Sequence, residues 1–168
     1  THLPVPGEGV AAELFVDHAW LCEVAELLDE RRQLVFHGPP GTGKTFIAQA
    51  LAAELVGWEN VRLVQFHPAY AYEDFFEGYR PAPGPSDGTI GFELRPAPLR
   101  GLAAAAAEHS DQAYVLVIDE LNRANLAKVF GELYFLLEYR DRRIELLYSP
   151  GERFRLPPNL FLIGTMNT

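Results

Sequence analysis

The sequence predicts an α/β protein built as three layers, αβα, around a parallel sheet. Three observations carry this. Continuous apolar runs of strand length occur at Gln33-Leu-Val-Phe-His37, Tyr114-Val-Leu-Val-Ile118 and Leu160-Phe-Leu-Ile-Gly-Thr165. Strands of this kind are buried on both faces, as parallel strands are. Stretches with helical spacing lie between them. The first run leads directly into Gly38-Pro39-Pro40-Gly41-Thr42-Gly43-Lys44-Thr45, which satisfies G-x-x-x-x-G-K-[ST] at every fixed position and opens a helix.

Bulk properties narrow the class. A chain of 168 residues, 48% hydrophobic, can bury the core of one domain. No run of eighteen apolar residues exists, so no membrane association is expected. Residues 1–9 carry neither a basic n-region nor a signal-peptide core. Cys22 is the sole cysteine, which excludes an internal disulfide and fits a reducing cytoplasm. In its apolar helical setting it reads as a small buried hydrophobe. The net charge of −9 argues against a broad nucleic-acid face. Locally, Arg140, Arg142, Arg143, Arg153 and Arg155 cluster around a second expected hairpin, as a solvated face or a contact for nucleic acid or an acidic neighbour.

The elements follow in order. After a Pro/Gly-rich lead-in, Asp17 is a plausible N-cap for a helix with Trp20, Leu21, Val24, Leu27 and Leu28 at helical spacing. The helix after the glycine-rich loop runs to about Val56 and stops at Gly57. Val61–Phe66 reads as a strand. Asp87-Gly88 marks a hairpin turn, and the hairpin over residues 79–95 reads as an insertion. Tyr70, Tyr72, Phe75 and Phe76 form an aromatic cluster, either a recognition patch or core. An Ala-rich helix spans Leu99–Glu108. Leu126–Tyr139 reads as one helix with Leu126, Val129, Phe130, Leu133, Leu136 and Leu137 on one face. A second hairpin turns at Pro150-Gly151. His67 and His109 have no second ligand at metal spacing and read as structural.

The chemistry-bearing residues cluster at strand ends. Glycines let the loop curl so that backbone N–H groups face phosphate oxygens, and the following helix adds its positive end. Gly38, Pro39, Pro40, Gly41, Thr42, Gly43, Lys44, Thr45 and Phe46 form the candidate nucleotide-binding segment. Lys44 would reach the β- and γ-phosphates, and Thr45 would place its hydroxyl on Mg²⁺. The strand at Tyr114–Ile118 ends in Asp119-Glu120: Asp119 suits the metal, and Glu120 suits activation of an attacking water. Asn167 follows the last strand and could hydrogen-bond the γ-phosphate or the water. Ligands of open α/β sheets bind beyond the carboxyl ends of the strands, and all these positions obey that rule.

The chain resembles AAA+ NTPases, and among them the McrB type, the NTP-driven motors of methylation-dependent restriction systems. The likeness rests on the glycine-rich loop and on three longer stretches: Phe66-His-Pro-Ala-Tyr-Ala-Tyr-Glu-Asp-Phe-Phe-Glu-Gly-Tyr-Arg-Pro81, Ile118-Asp-Glu-Leu-Asn-Arg-Ala-Asn-Leu-Ala-Lys-Val-Phe-Gly-Glu132 and Leu162-Ile-Gly-Thr-Met-Asn-Thr168. It implies that residues 1–168 form an AAA+ large subdomain with Lys44 and Thr45 as the Walker A pair, Asp119 and Glu120 as the Walker B pair and Asn167 as sensor 1. It implies Mg²⁺, GTP or ATP as substrate, and a homo-oligomeric ring, expected to be a hexamer. It also implies an McrC-like nuclease partner, with DNA engaged through other domains or that partner. GTP is what the McrB likeness suggests. Residues 10–20, where base selection is expected, lack an Asn-Lys-x-Asp motif.

The resemblance further implies a sheet order of 5-1-4-3-2, with the fifth strand, the arginine-finger segment and the helical lid outside these residues. The Leu34–His37 strand should then form a sheet edge, and turnover by the chain alone should be weak. Arg123 could reach a neighbour's nucleotide or form a salt bridge within the domain. A MoxR-like or dynein-related chaperone shares the Asp-Glu-Leu-Asn-Arg-Ala pattern and is the alternative. A non-catalytic, nucleotide-gated scaffold is opposed by the intact Lys44, Asp119 and Glu120.

Overall fold

The computed structural model describes residues 1–168. The elements are α1 (Glu8–Leu14), α2 (His18–Arg31), β1 (Gln33–Gly38), α3 (Lys44–Val56), β2 (Val61–Gln65), α4 (Tyr72–Phe75), β3 (Glu77–Pro83), β4 (Ile90–Pro96), α5 (Pro98–Glu108), β5 (Tyr114–Asp119), α6 (Leu126–Phe130), α7 (Tyr134–Glu138), β6 (Ile144–Glu145), β7 (Arg153–Phe154) and β8 (Leu160–Asn167). The central sheet runs β1-β8-β5-β2, with every pairing parallel. This is the expected 1-4-3-2 arrangement, with β1 at one edge.

Alternation along the two inner strands builds two cores. Val115 and Val117 of β5, with Phe161 and Ile163 of β8, pack under α1, α2 and α3. Tyr114, Leu116 and Ile118, with Leu160 and Leu162, pack under α4, α5, α6 and α7. Successive side chains of a strand point to opposite faces, so a continuous apolar run must be covered twice. That is why the buried strands of the sequence require three layers. The Asp17 side chain accepts the Trp20 amide at 2.9 Å and starts α2 as expected. Leu21, Val24 and Leu28 point inward, whereas Leu27 is about half exposed and Trp20 lies at the surface against Phe36.

Several expectations change. The helix anticipated over Leu126–Tyr139 is broken into α6, a short 3₁₀ turn and α7. Gly131 causes the break: it takes φ +52°, and a Cβ there would come within 3.2 Å of the Tyr72 ring. The second hairpin pairs only Ile144 with Phe154 and Glu145 with Arg153. The first hairpin is a full ladder from Glu77↔Pro96 to Pro83↔Ile90, with Gly88 at φ +81° in the turn. Cys22 is half-buried rather than buried, its Sγ 3.4 Å from His18 Nε2. Arg140 leaves the arginine cluster: its Nη2 donates to the Pro157 and Leu160 carbonyls. Desolvation and nearby Arg32 push its guanidinium down to about 10.

The aromatic cluster is core. Phe66, Tyr72, Phe75 and Phe76 are buried, and Phe66–Tyr70 rings stack at 4.8 Å. His67 Nδ1 accepts the Ala69 amide, and His109 lies 3.2 Å from the Ala105 carbonyl, so both are tied to local backbone.

Candidate functional site

All four sheet strands run the same way, so their carboxyl ends share one edge. Register then fixes the neighbours: Gln65 pairs with Asp119, and Gly38 with Asn167. Residues far apart in sequence meet there because the pairing is parallel and in step. Between β1 and α3 the loop turns on Gly41 (φ +76°) and Gly43 (φ +80°). A Cβ on either would meet nothing within 4 Å, so conformation, not space, selects glycine at both. α3 begins immediately at Lys44. Its first N–H groups and its dipole therefore face the loop's concave side, an arrangement suited to anions.

A cavity of about 350 Å³ lies at this edge, lined by Pro40, Gly41, Thr42, Gly43, Lys44, Thr45, Phe46, Asp119, Glu120, Thr165 and Asn167. Gly38 and Pro39 do not line it. Their carbonyls instead accept Lys44 Nζ at 3.0 and 2.5 Å. Lys44 Nζ also lies 3.3 Å from the Thr42 hydroxyl. Thr45 Oγ1 donates to Asp119 Oδ1 at 2.5 Å. Asn167 Nδ2 donates to Glu120 Oε1 at 3.0 Å. Apart from Gly38 and Pro39, every residue singled out at the strand ends thus reaches one cavity. Phe46 is 65% exposed at its mouth.

Glu120 sits at φ +56°, ψ +44°, a left-handed conformation rare for a side chain of its size. The Arg123 amide closes the turn onto the Glu120 carbonyl at 2.9 Å. The turn aims the Glu120 carboxylate at the Asn167 amide rather than along the strand. Arg123 itself is exposed and forms no ion pair, so the salt bridge within the domain is not made.

Sequence reasoning missed three contributors. Thr165 is 2% exposed; its hydroxyl donates to Asp119 Oδ1 at 2.6 Å and accepts the Glu120 amide at 3.3 Å. It lies two residues before Asn167, so strand periodicity puts both on one face, and that was the available signal. Asn122 Nδ2 donates to the Asn167 carbonyl at 2.9 Å. Gln65 Nε2 stands 3.5 Å from Asp119 Oδ2, a contact visible only from strand register.

The Thr45 hydroxyl and the Asp119 carboxylate form a pair of hard oxygen donors beside an anion cradle. That set fits Mg²⁺, which takes one or two protein oxygens and completes its shell with water and phosphate. No group of three or more His, Cys, Asp or Glu side chains that could hold a metal ion converges in the molecule.

Residues 33–168 match the family described as AAA domain (dynein-related subfamily). The chain is 38% identical over 170 residues to the EcoKMcrB subunit of a type IV methyl-directed restriction enzyme of Escherichia coli K12, covering 96% of this chain and 36% of that protein. It is 27% identical over 175 residues to the YdiS component of the type II restriction enzyme BsuMI of Bacillus subtilis, covering 81% of this chain and 50% of that one. The chain thus spans between about a third and a half of these relatives. A Cytophaga hutchinsonii crystal structure assigned as an ATPase superposes with a TM-score of 0.53 at 18% identity, over 95% of this chain and 42% of that one, and shares the fold. No helix is long and apolar enough to cross a membrane. With the fold, the strand-end cavity and these matches in agreement, the chain belongs to the AAA domain family, dynein-related subfamily, as a McrB-like AAA+ NTPase.

Proposed function

We propose that residues 1–168 form the large subdomain of a nucleotide-hydrolysing motor of McrB type, whose cycle drives DNA translocation and cleavage by a partner nuclease. The observation that carries the hydrolytic part is the convergence of Lys44, Thr45, Asp119, Glu120 and Asn167 on one cavity of about 350 Å³. The restriction-enzyme relatives support the coupling to DNA.

In this reading Lys44 exchanges the Gly38 and Pro39 carbonyls for the β- and γ-phosphate oxygens. Thr45 and Asp119 would hold Mg²⁺, which would supply positive charge to neutralise the phosphates. Glu120 accepts a proton from the attacking water as the water oxygen bonds to the γ-phosphorus. The bond to the β-phosphate oxygen then breaks, and the nucleoside diphosphate leaves. Asn167, hydrogen-bonded to Glu120 in the absence of substrate, reads the γ-phosphate and aligns the water. Thr165 fixes Asp119 and the Glu120 backbone. The McrB likeness points to GTP as the substrate, with ATP the alternative.

Lys44 is the only cation lining the cavity. Charge developing on the γ-phosphate therefore calls for an arginine from a neighbour in a ring, expected to be a hexamer. The chain alone should turn over slowly, since such arginines contribute about 10³–10⁵ in rate. A cytoplasmic setting and an McrC-like nuclease partner complete the proposal. The subfamily description favours one second reading, a dynein-related chaperone that remodels proteins; DNA-stimulated turnover separates the two.

The test is steady-state hydrolysis of Mg·GTP and Mg·ATP with and without DNA and partner nuclease, comparing wild type with Glu120→Gln. The proposal expects Glu120→Gln to lose about 10²–10⁴-fold in turnover while still binding nucleotide. Equal turnover in the two proteins would reject Glu120 as the base.

A further inference from the structure

A second concave surface lies between α5 and the β6–β7 hairpin. It has a volume of about 310 Å³, and its lining includes Arg100, Arg143, Arg153 and Arg155 over an apolar floor of Ala103 and Ala107. None of these residues lines the nucleotide cavity. In a chain of net charge −9, four guanidinium groups on one groove do not follow from bulk composition.

The four are not equivalent. Arg100 is engaged: it pairs with buried Glu77 and donates from Nη2 to both Glu152 oxygens at 2.7 and 2.8 Å. Arg143, Arg153 and Arg155 are exposed and have no carboxylate partner. A partner was within reach. Glu145 lies opposite Arg153 in the ladder, yet its carboxylate accepts the Gly151 amide at 3.0 Å and leaves Arg153 free.

Phe154 packs on Phe76 with ring centroids 5.0 Å apart, which fixes the facing of β7. Alternation puts Arg153 and Arg155 on the same face of this segment, and both line the groove alongside Phe154. Arg143 and Arg155 each adjoin the Ile144↔Phe154 pair, just past the end of the ladder, and line the same groove. Like charges set near one another on a hairpin are unfavourable, so nothing in its folding selects this pair. The three cations line one groove, on adjoining positions of the two hairpin arms. Such an arrangement offers a phosphate-bearing polymer several guanidinium forks at once, each able to bind a phosphate through two N–H groups.

We propose that this arginine groove binds the phosphodiester backbone of a nucleic acid, independent of sequence. It would thereby give the motor core its own contact with the strand it acts on. The inference deepens the DNA-directed reading above and rests on it. A phosphodiester backbone is favoured over an acidic protein because it presents an anion at every nucleotide, and the one carboxylate of the groove, Glu152, is already held by Arg100.

The experiment is fluorescence anisotropy of a labelled 20-nucleotide DNA, single-stranded and duplex, titrated with the chain across a salt series. Wild type is compared with the triple variant Arg143→Gln, Arg153→Gln, Arg155→Gln. Arg142→Gln, an exposed arginine outside the groove, is the charge control, and poly-glutamate is the competing polyanion. Binding of a non-hydrolysable Mg-nucleotide by each variant reports that the fold and the nucleotide cavity are intact.

Wild type is expected to bind with a Kd in the non-specific range, about 10⁻⁴–10⁻⁶ M. The triple variant should lose at least tenfold at low salt, and the slope of log K against log salt should fall by about two, since each phosphate contact contributes about 0.7–0.9. Arg142→Gln should change the affinity less than threefold.

An unchanged affinity and slope in the triple variant would overturn the proposal. So would a loss shared equally by Arg142→Gln, or poly-glutamate binding as tightly as DNA with the same dependence on the three arginines. The last result would assign the groove to an acidic protein. Normal nucleotide binding and hydrolysis alongside any of these failures would leave the NTPase assignment standing.

Discussion

The nucleotide cavity and the root of the two hairpins are both dense in polar groups, but they pair those groups differently. At the cavity, partners are provisional. Lys44 rests on two loop carbonyls, and Thr45 and Thr165 share one oxygen of Asp119. On the proposed function, these are the bonds that phosphate and metal would replace. At the hairpin root, partners are mutual and gather around the buried Glu77 and Tyr72. Glu77 is 1% exposed and pairs with Arg100, while Ser149 Oγ donates to its other oxygen at 3.2 Å. The Tyr72 hydroxyl donates to Glu132 Oε1 at 2.6 Å, and the Tyr148 hydroxyl to Glu73.

The root network ties the base of β3 to the turn between β6 and β7 through side chains alone. The contrast separates polar groups poised for exchange from polar groups that hold two insertions in place. Only the first kind should respond to ligand, and only the second should dominate stability.

The comparison breaks most sharply at Glu77. Glu77→Gln removes the buried partner of Arg100 but leaves it Glu152, so the cost falls at the low end of that for breaking a buried pair, about 3 kcal/mol. For a domain of this size that corresponds to a Tm fall of about 10 °C, read by calorimetry or circular dichroism. Nucleotide affinity should hold, measured below the transition. An effect on affinity as large as that on Tm would mean the two regions are one unit.

Gly131→Ala is next. Its φ of +52°, and the Tyr72 ring 3.2 Å from where the new methyl would stand, together predict a loss of about 2 kcal/mol. Destabilisation by denaturant titration should exceed that of an Ala substitution at exposed Gly9, where no atom lies within 4 Å.

Asp17→Ala removes the cap of α2 and should cost about 1 kcal/mol, again without touching nucleotide binding.

The smallest effect is at alkaline pH. Burial pushes the Tyr70 phenol up to about 12, with Asp74 adding to the shift, and burial with the Glu132 hydrogen bond raises Tyr72 further. Because the folded state holds these protons more tightly than the unfolded chain, their contribution is full below about pH 10 and falls as pH rises through the folded values. Absorbance titration of the phenols should show a late step that shrinks in Tyr72→Phe. A titration with no late step would contradict the burial of this cluster.

The cavity was far more legible in the sequence than the hairpin root. Lys44, Thr45, Asp119, Glu120 and Asn167 each stand at the end of an apolar run, and parallel pairing brings strand ends together without further information. Thr165 and Gln65 escaped because their roles depend on register: one residue of slip in β8 or β2 would turn them away. The Glu77–Arg100–Glu152 network joins three elements separated by up to 75 positions, and no local pattern marks such a meeting. The broken helix at Gly131 was hidden for the same reason. A glycine inside a helical pattern is tolerated on local grounds, and only the Tyr72 ring, some sixty residues away, shows why the chain bends there.

The proposed Mg-nucleotide site rests above all on the exchangeable bonds of Lys44. Calorimetric titration of non-hydrolysable Mg·GTP and Mg·ATP analogues into wild type and Lys44→Ala tests it most directly. The prediction is binding of at least one nucleotide by wild type and a loss of tenfold or more in the variant, at least about 1.4 kcal/mol, with Tm unchanged. Equal affinity in the two proteins would contradict that assignment.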